Sequence, residues 1–173
     1  MATEIERKFL LRGEAWRAAA IRTLRIRQGY LVDAAAIAAG HARASVRVRV
    51  QDDAAWLNVK SARGAIVRDE YDYAVPRDDA ERMLATLCGG VLAKRRHLVP
   101  VGADLVFEID EFEDANAGLV VAELELPAAD AAFPRPDWLG NEVSHLPRYL
   151  NLNLIAYPYR DWTTAEREGT DTC

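Results

Sequence analysis

Cysteine is nearly absent from this chain. Cys88 and Cys173 are the only two in 173 residues, too few for a disulfide framework, and neither belongs to a CxxC pair. Histidine is as sparse: His41, His97 and His145 are scattered without metal-ligand spacing, and no Ser/His/Asp constellation stands out. No uninterrupted apolar stretch reaches the length of a transmembrane helix. The charged start, Glu4, Glu6, Arg7 and Lys8, lacks the apolar core of a signal peptide. The expected compartment is therefore the cytoplasm, with no membrane partner. A basic excess is missing as well; the net charge of −5 argues against a general nucleic-acid binder. Trp16, Trp56, Trp138 and Trp162 form no stripe and read as packing residues, not as a base-stacking platform.

What is present is one domain's worth of alternating strands. Half of the chain, 50%, is hydrophobic, and no repeat, low-complexity block or linker divides it. Strands are predicted over Thr3–Leu11, Leu24–Val32, Ser45–Gln51, Ala55–Ser61, Ile66–Val75, Ala93–Val99, Asp104–Phe112 and Gly118–Leu126. Turns at Ala54-Ala55 and Arg63-Gly64 link neighbouring strands as hairpins. Helices are predicted at Glu14–Ile21, from Asp78-Asp79 to about Cys88, and after Pro127 at Ala128–Phe133, Trp138–Val143 and Tyr149–Ala156. Asp33–Ala42 reads as a loop or marginal helical turn, and Thr163–Cys173 as a frayed polar tail. The sum is an α+β domain on a largely antiparallel sheet.

The charges then decide what kind of sheet this is. Glu4, Glu6 and Lys8 alternate with Ile5 and Phe9, so a strand projects all three from one face. The same parity rule gathers Arg47/Arg49, Lys60 with Asn58, Arg68/Glu70/Asp72, Lys94/Arg96, Glu108/Asp110 and Glu123/Glu125. One such row is most simply a wet strand face. Here Arg47/Arg49, Lys60 and Lys94/Arg96 are basic while Glu4/Glu6, Glu108/Asp110 and Glu123/Glu125 are acidic, whereas a solubilising surface intersperses its signs. With helices outside, the charged face can line a closed barrel. Such a lumen is costly unless it is solvated or holds a counter-ligand, and polyphosphate with a divalent metal satisfies both signs.

At this point the chain resembles the CYTH proteins, the triphosphate tunnel metalloenzymes, from about Thr3 to Ala156. The ExExK signature stands as Glu4-Ile5-Glu6-Arg7-Lys8. In order follow QGYL at Gln28–Leu31, RxR at Arg47 and Arg49, Lys60, RDEYD around Glu70, KxR at Lys94 and Arg96, FEIDEF around Asp110, and ELEL at Glu123 and Glu125. WLGNEV near Trp138 and RYLN near Tyr149 resemble the family's C-terminal helical segment. ExExK alone is weak; the ordered series is strong.

The resemblance implies an eight-stranded antiparallel β-barrel with helices packed outside, over residues 1–160, followed by a polar tail, 161–173. It implies that Lys8, Arg47, Arg49, Lys60, Lys94 and Arg96 grip phosphates. Glu4, Glu6, Glu123 and Glu125 would hold Mg²⁺ or Mn²⁺, and Glu4, Glu6, Lys8, Asp110 and Glu125 would serve catalysis, with Glu70 bracing nearby bases. The expected activity is hydrolysis of a small-molecule triphosphate, first of all inorganic tripolyphosphate. Thiamine triphosphatase or class IV-type adenylate cyclase activity are the alternatives among enzymes, and a non-hydrolytic polyphosphate-binding module is the alternative of another class. A homodimer is compatible with all of these. One departure is visible: Leu150 and Leu152 stand where the family often has lysines, and Arg148 and Arg160 are the candidates to replace them.

Overall fold

The computed structural model of the protein describes residues 2–62, 67–102 and 104–169. Strands β1 (Ala2–Leu11), β2 (Arg22–Tyr30), β3 (Ala44–Gln51), β4 (Ala54–Ser61), β5 (Val67–Ala74), β6 (Val91–Val101), β7 (Leu105–Phe112) and β8 (Val120–Glu125) pair antiparallel. They close into a ring of eight because β1 pairs with β8 along one edge and with β5 along the other. The hairpin turn expected at Arg63-Gly64 and the strand start at Ile66 lie outside the described residues.

Alternation builds the wall. On β3, Val48 and Val50 turn outward and are buried, together with Ala55 of β4, beneath Ala80 and Leu84 of helix α2 (Arg77–Thr86). Asp78 and Asp79 occupy the first turn of α2, where carboxylates suit the helix dipole. Gly29 lets the end of this unit approach β2, since a Cβ there would sit 2.8 Å from the Cys88 side chain. Around β1, β6, β7 and β8 the outer face is Phe9, Val99, Phe107, Ile109, Ala122 and Leu124. It is covered by Trp16, from a 3₁₀ turn at Ala15–Ala19, and by Phe133 and Trp138.

The inward parity changes character at one end of the barrel. Leu10, Leu92, Phe112 and Val121 continue the charged rows as apolar residues, and Leu146, Tyr149, Leu154 and Trp162 pack onto them. The C-terminal segment, with α3 (Asn151–Ala156), thus covers that end. Helix α1 (Ala34–Ala38) is the marginal turn expected there, capped by Asp33, whose carboxylate accepts from Ala36 N at 2.6 Å.

Three local expectations need correction. Trp138–Val143 is not a helix: Leu139–Glu142 forms a ninth strand, β9, on the stretch of the β1 edge that β5 leaves uncovered beyond Ile5. Satisfying that edge, together with the Arg7–Glu142 ion pair, outweighs local helix propensity. Ala128–Phe133 is irregular; Phe133 precedes Pro134, which disfavours helical backbone, and its ring packs on Phe9 and Phe107 instead. Thr163–Gly169 is not frayed. Thr163 and Glu166 make a reciprocal capping box for α4 (Thr164–Glu168), and Tyr149 Oη donates to Glu166 O at 2.9 Å. Residues 170–173 of the expected tail lie outside the described ones. Among the described residues no helix is long and apolar enough to cross a membrane.

Candidate active site

Strand register places the charges. Lys8 lies opposite Glu123, which lies opposite Glu108; Glu6 faces Glu125; Lys60 faces Glu70; Arg47 faces Asn58, which faces Asp72. All project from the inward parity into a lumen that holds a cavity of about 430 Å³. Of the residues singled out in the sequence, Glu4, Glu6, Lys8, Arg47, Arg49, Lys60, Glu70, Arg96, Glu123 and Glu125 line it.

Lys94 and Asp110 do not line the cavity. They form an ion pair with 2% and 0% of their surface exposed, and Asp110 holds the Arg96 guanidinium through two further bonds, Nε to Oδ1 and Nη2 to Oδ2, each 2.7 Å. Arg96 reaches past them to Glu123 at 2.6 Å and to Glu108. Burial, and then the neighbouring Arg96 charge, pull the Lys94 ammonium down to about 8. Arg96 itself is driven well up; burial opposes this, and Asp110, Glu108 and Glu123 together outweigh it.

The lumen cations divide into two groups. The first is bonded to carboxylates. Lys60 Nζ donates to both oxygens of Glu4 at 2.6 Å and stands 3.4 Å from Glu70; Lys8 Nζ donates to Glu6 at 2.6 Å and to Glu123. Burial raises the Glu4 carboxyl, reinforced by Glu6, whereas for Glu123 the burial effect is overcome by Lys8, Lys94 and Arg96 and the carboxyl falls well below its usual range. The second group is three arginines. Arg47, 8% exposed, makes no ion pair with any described residue; Arg49 and Arg68 stand 4.0 Å from Asp72 and Glu6. The Nε of each of the three is buried without a hydrogen-bond partner among the described residues. Such orphans in a polar cavity call for an anion.

Several lining residues escaped assignment in the sequence: Arg68, Asn58, Asp72, Glu108 and Tyr30. Parity already puts Arg68, Asn58, Asp72 and Glu108 on the inward face beside assigned neighbours, without giving them a role; Tyr30 has no assigned neighbour on β2 and joins the site only by pairing with Arg47 of β3. Asn58 is 1% exposed and its amide nitrogen donates to Glu70 and to Asp72, the latter at 2.9 Å. Trp56 is more than packing, since the Arg49 guanidinium lies over its ring at 5.1 Å. Leu150 and Leu152 line the cavity with Ile37 of α1. Arg148 sits over the Tyr149 and Trp162 rings and Arg160 pairs with Asp161, and neither lines the cavity.

A metal can be tested against this donor set. Glu4, Glu6, Glu123 and Glu125 offer hard carboxylate oxygens, the chemistry that suits Mg²⁺ or Mn²⁺. Glu6 and Glu125 are directly opposed like charges, an arrangement that favours a cation between strands. The donors fit in kind. Among the described residues, however, no three acidic, histidine or cysteine side chains converge as a ready ion site; ammonium groups hold Glu4, Glu6 and Glu123.

Comparison with known proteins agrees with this architecture. An inorganic triphosphatase of Acetivibrio thermocellus is 40% identical over 162 residues, covering 94% of this chain and 99% of that protein. An inorganic triphosphatase of Nitrosomonas europaea is 30% identical over 154 residues, covering 88% and 96%. A crystal structure of an inorganic triphosphatase superposes with a TM-score of 0.60 at 29% identity, covering 90% of this chain and 95% of that one. The model of the CYTH domain matches residues 2–155, and the chain belongs to the CYTH family, whose triphosphate tunnel enzymes are metal-dependent.

Proposed function

We propose that this protein hydrolyses inorganic tripolyphosphate to pyrophosphate and phosphate with Mg²⁺ or Mn²⁺. The observation that carries the reading is the closed lumen in which Arg47, Arg49 and Arg68 have no carboxylate closer than 4.0 Å among the described residues, beside a bank of carboxylates. The names borne by its relatives support the same reading.

Phosphoryl transfer demands charge neutralisation and in-line positioning more than covalent chemistry. Arg47, Arg49 and Arg68 grip phosphate oxygens, and Lys8, Lys60 and Arg96 bear the charge that grows on the leaving pyrophosphate. Glu4, Glu6, Glu123 and Glu125 would hold the metal, which when bound would supply charge neutralisation and a more acidic water. Water oxygen bonds to the terminal phosphorus as the bridging P–O bond breaks; pyrophosphate leaves with the electron pair. Glu125, cavity-lining and without an ion pair to any described residue, orients the water and receives its proton. Asp110 acts one step away, fixing Arg96.

The test is phosphate release from tripolyphosphate, thiamine triphosphate and ATP, each with Mg²⁺, Mn²⁺ or EDTA. Metal-dependent release, fastest from tripolyphosphate, is expected, with Glu6→Gln folded and inactive. Faster release from an organic triphosphate overturns the substrate assignment. Tight tripolyphosphate binding without release in any buffer makes the barrel a binding module instead.

A further inference from the structure

Resting on this reading of the metal site, we propose that Lys60 is a built-in counter-ion that masks it: its ammonium occupies the face of Glu4 that a divalent cation takes, and a phosphate must draw it away. Both Glu4 oxygens lie 2.6 Å from Lys60 Nζ, within a lumen where the two side chains are 10% and 12% exposed. A hard cation needs those same oxygens at roughly 2.0–2.6 Å, so ammonium and metal exclude one another both by space and by charge. Lys8 plays the parallel part toward Glu6 and Glu123.

The division of labour among the cations follows from their side chains. A lysine ammonium is a point charge on a flexible four-carbon stem and can swing from carboxylate to phosphate; a guanidinium is a rigid fork. In this lumen two of the lysines hold the carboxylates that the reading assigns to the metal, while Arg47, Arg49 and Arg68 have no carboxylate closer than 4.0 Å among the described residues. The arginines form the standing receptor for the anion. A phosphate seated on them offers Lys60 a more highly charged partner than Glu4, and the released carboxylate turns to the metal. Anion and cation binding are thereby coupled through Lys60, and coupling of this kind acts equally in both directions.

The experiment is a Mn²⁺ titration by calorimetry without any triphosphate, on the full chain and three variants. Lys60→Gln is expected to bind Mn²⁺ about tenfold or more tightly than the parent, the lower range of a typical coupling. Arg49→Gln removes a lumen charge that holds no carboxylate closer than 4.0 Å, and is expected to gain about threefold or less. Glu4→Gln/Lys60→Gln must lose the gain. Lys60→Met serves if Lys60→Gln does not fold. Equal gains in Lys60→Gln and Arg49→Gln, or a gain that survives in the double variant, overturn the mask. Because no substrate is present, this outcome is separate from the phosphate-release assay: a mask without hydrolysis leaves the inference standing, and hydrolysis without a mask leaves the function standing.

Discussion

Asp110 shows at the level of single residues how burial reassigns a role. Parity puts it in the same row as Glu108, and the family resemblance implies that it is an acidic participant in the chemistry. Packed at 0% exposure between Lys94 and Arg96, it instead compensates two buried cations. Asp110→Asn removes that compensation and leaves uncompensated buried charge, a change that costs about 3–5 kcal/mol. Urea unfolding checks it; a loss below about 1 kcal/mol, the level of an exposed pair, contradicts the compensating role. Lys94 adds a pH dependence. Its ammonium is lowered from 10.5 to about 8, so below pH 8 the native state carries the full cost of keeping it charged. As pH rises from about 8 to 10.5 the native state releases this proton before the unfolded chain does, and the cost fades. The melting temperature of the parent, relative to Lys94→Met, is therefore expected to rise between pH 7 and pH 10. A difference that stays flat with pH contradicts the buried, shifted ammonium.

At the level of elements, β9 is the instructive case. Gly140 sits where a Cβ would lie 2.7 Å from Leu10 O, a backbone atom that cannot step aside without parting the strands. Gly140→Ala is expected to destabilise by about 1–3 kcal/mol, the usual range for overpacking, and to lower the melting temperature; an unchanged transition would show that β9 yields freely. The same strand marks the limit of reading the sequence. Period-two alternation is a local signal, and it made β1 to β8 and most of the lumen legible, but not the β1–β8 register that sets Lys8 opposite Glu123. It also put Lys94 and Asp110 on the correct face, but alternation says which way a side chain points and not how deep it lies. Glu142 and Ser144 bond to β1 residues about 135 positions earlier, through Arg7 and the Lys8 backbone, and no local pattern announces such contacts. Helix α4 is different: Thr163 with Glu166 is a capping signature that was readable and outweighs the polar look of the tail.

The whole molecule combines a net charge of −5 with a lumen that gathers Arg47, Arg49 and Arg68 with no counter-charge closer than 4.0 Å among the described residues. Holding like charges together inside a closed barrel costs the free protein stability, because the surrounding medium is less polarisable than water. An anion seated there removes that cost, and one that binds only the folded chain stabilises it by mass action. At a concentration about 100 times its dissociation constant the gain is about 2.7 kcal/mol. For a domain of this size that corresponds to a rise in melting temperature of roughly 5–10 °C. The prediction is made for tripolyphosphate in EDTA, where binding proceeds without metal and hydrolysis does not intrude. The rise should shrink as ionic strength increases, since salt screens the attraction that brings the anion to the mouth of the barrel. It should also shrink in Arg47→Gln, the variant that removes the most buried of the three guanidiniums and the one with no ion pair to any described residue. A thermal shift that is as large in Arg47→Gln as in the parent would place the anion outside the lumen, and the three arginines would then have to be explained as part of the barrel's own structure.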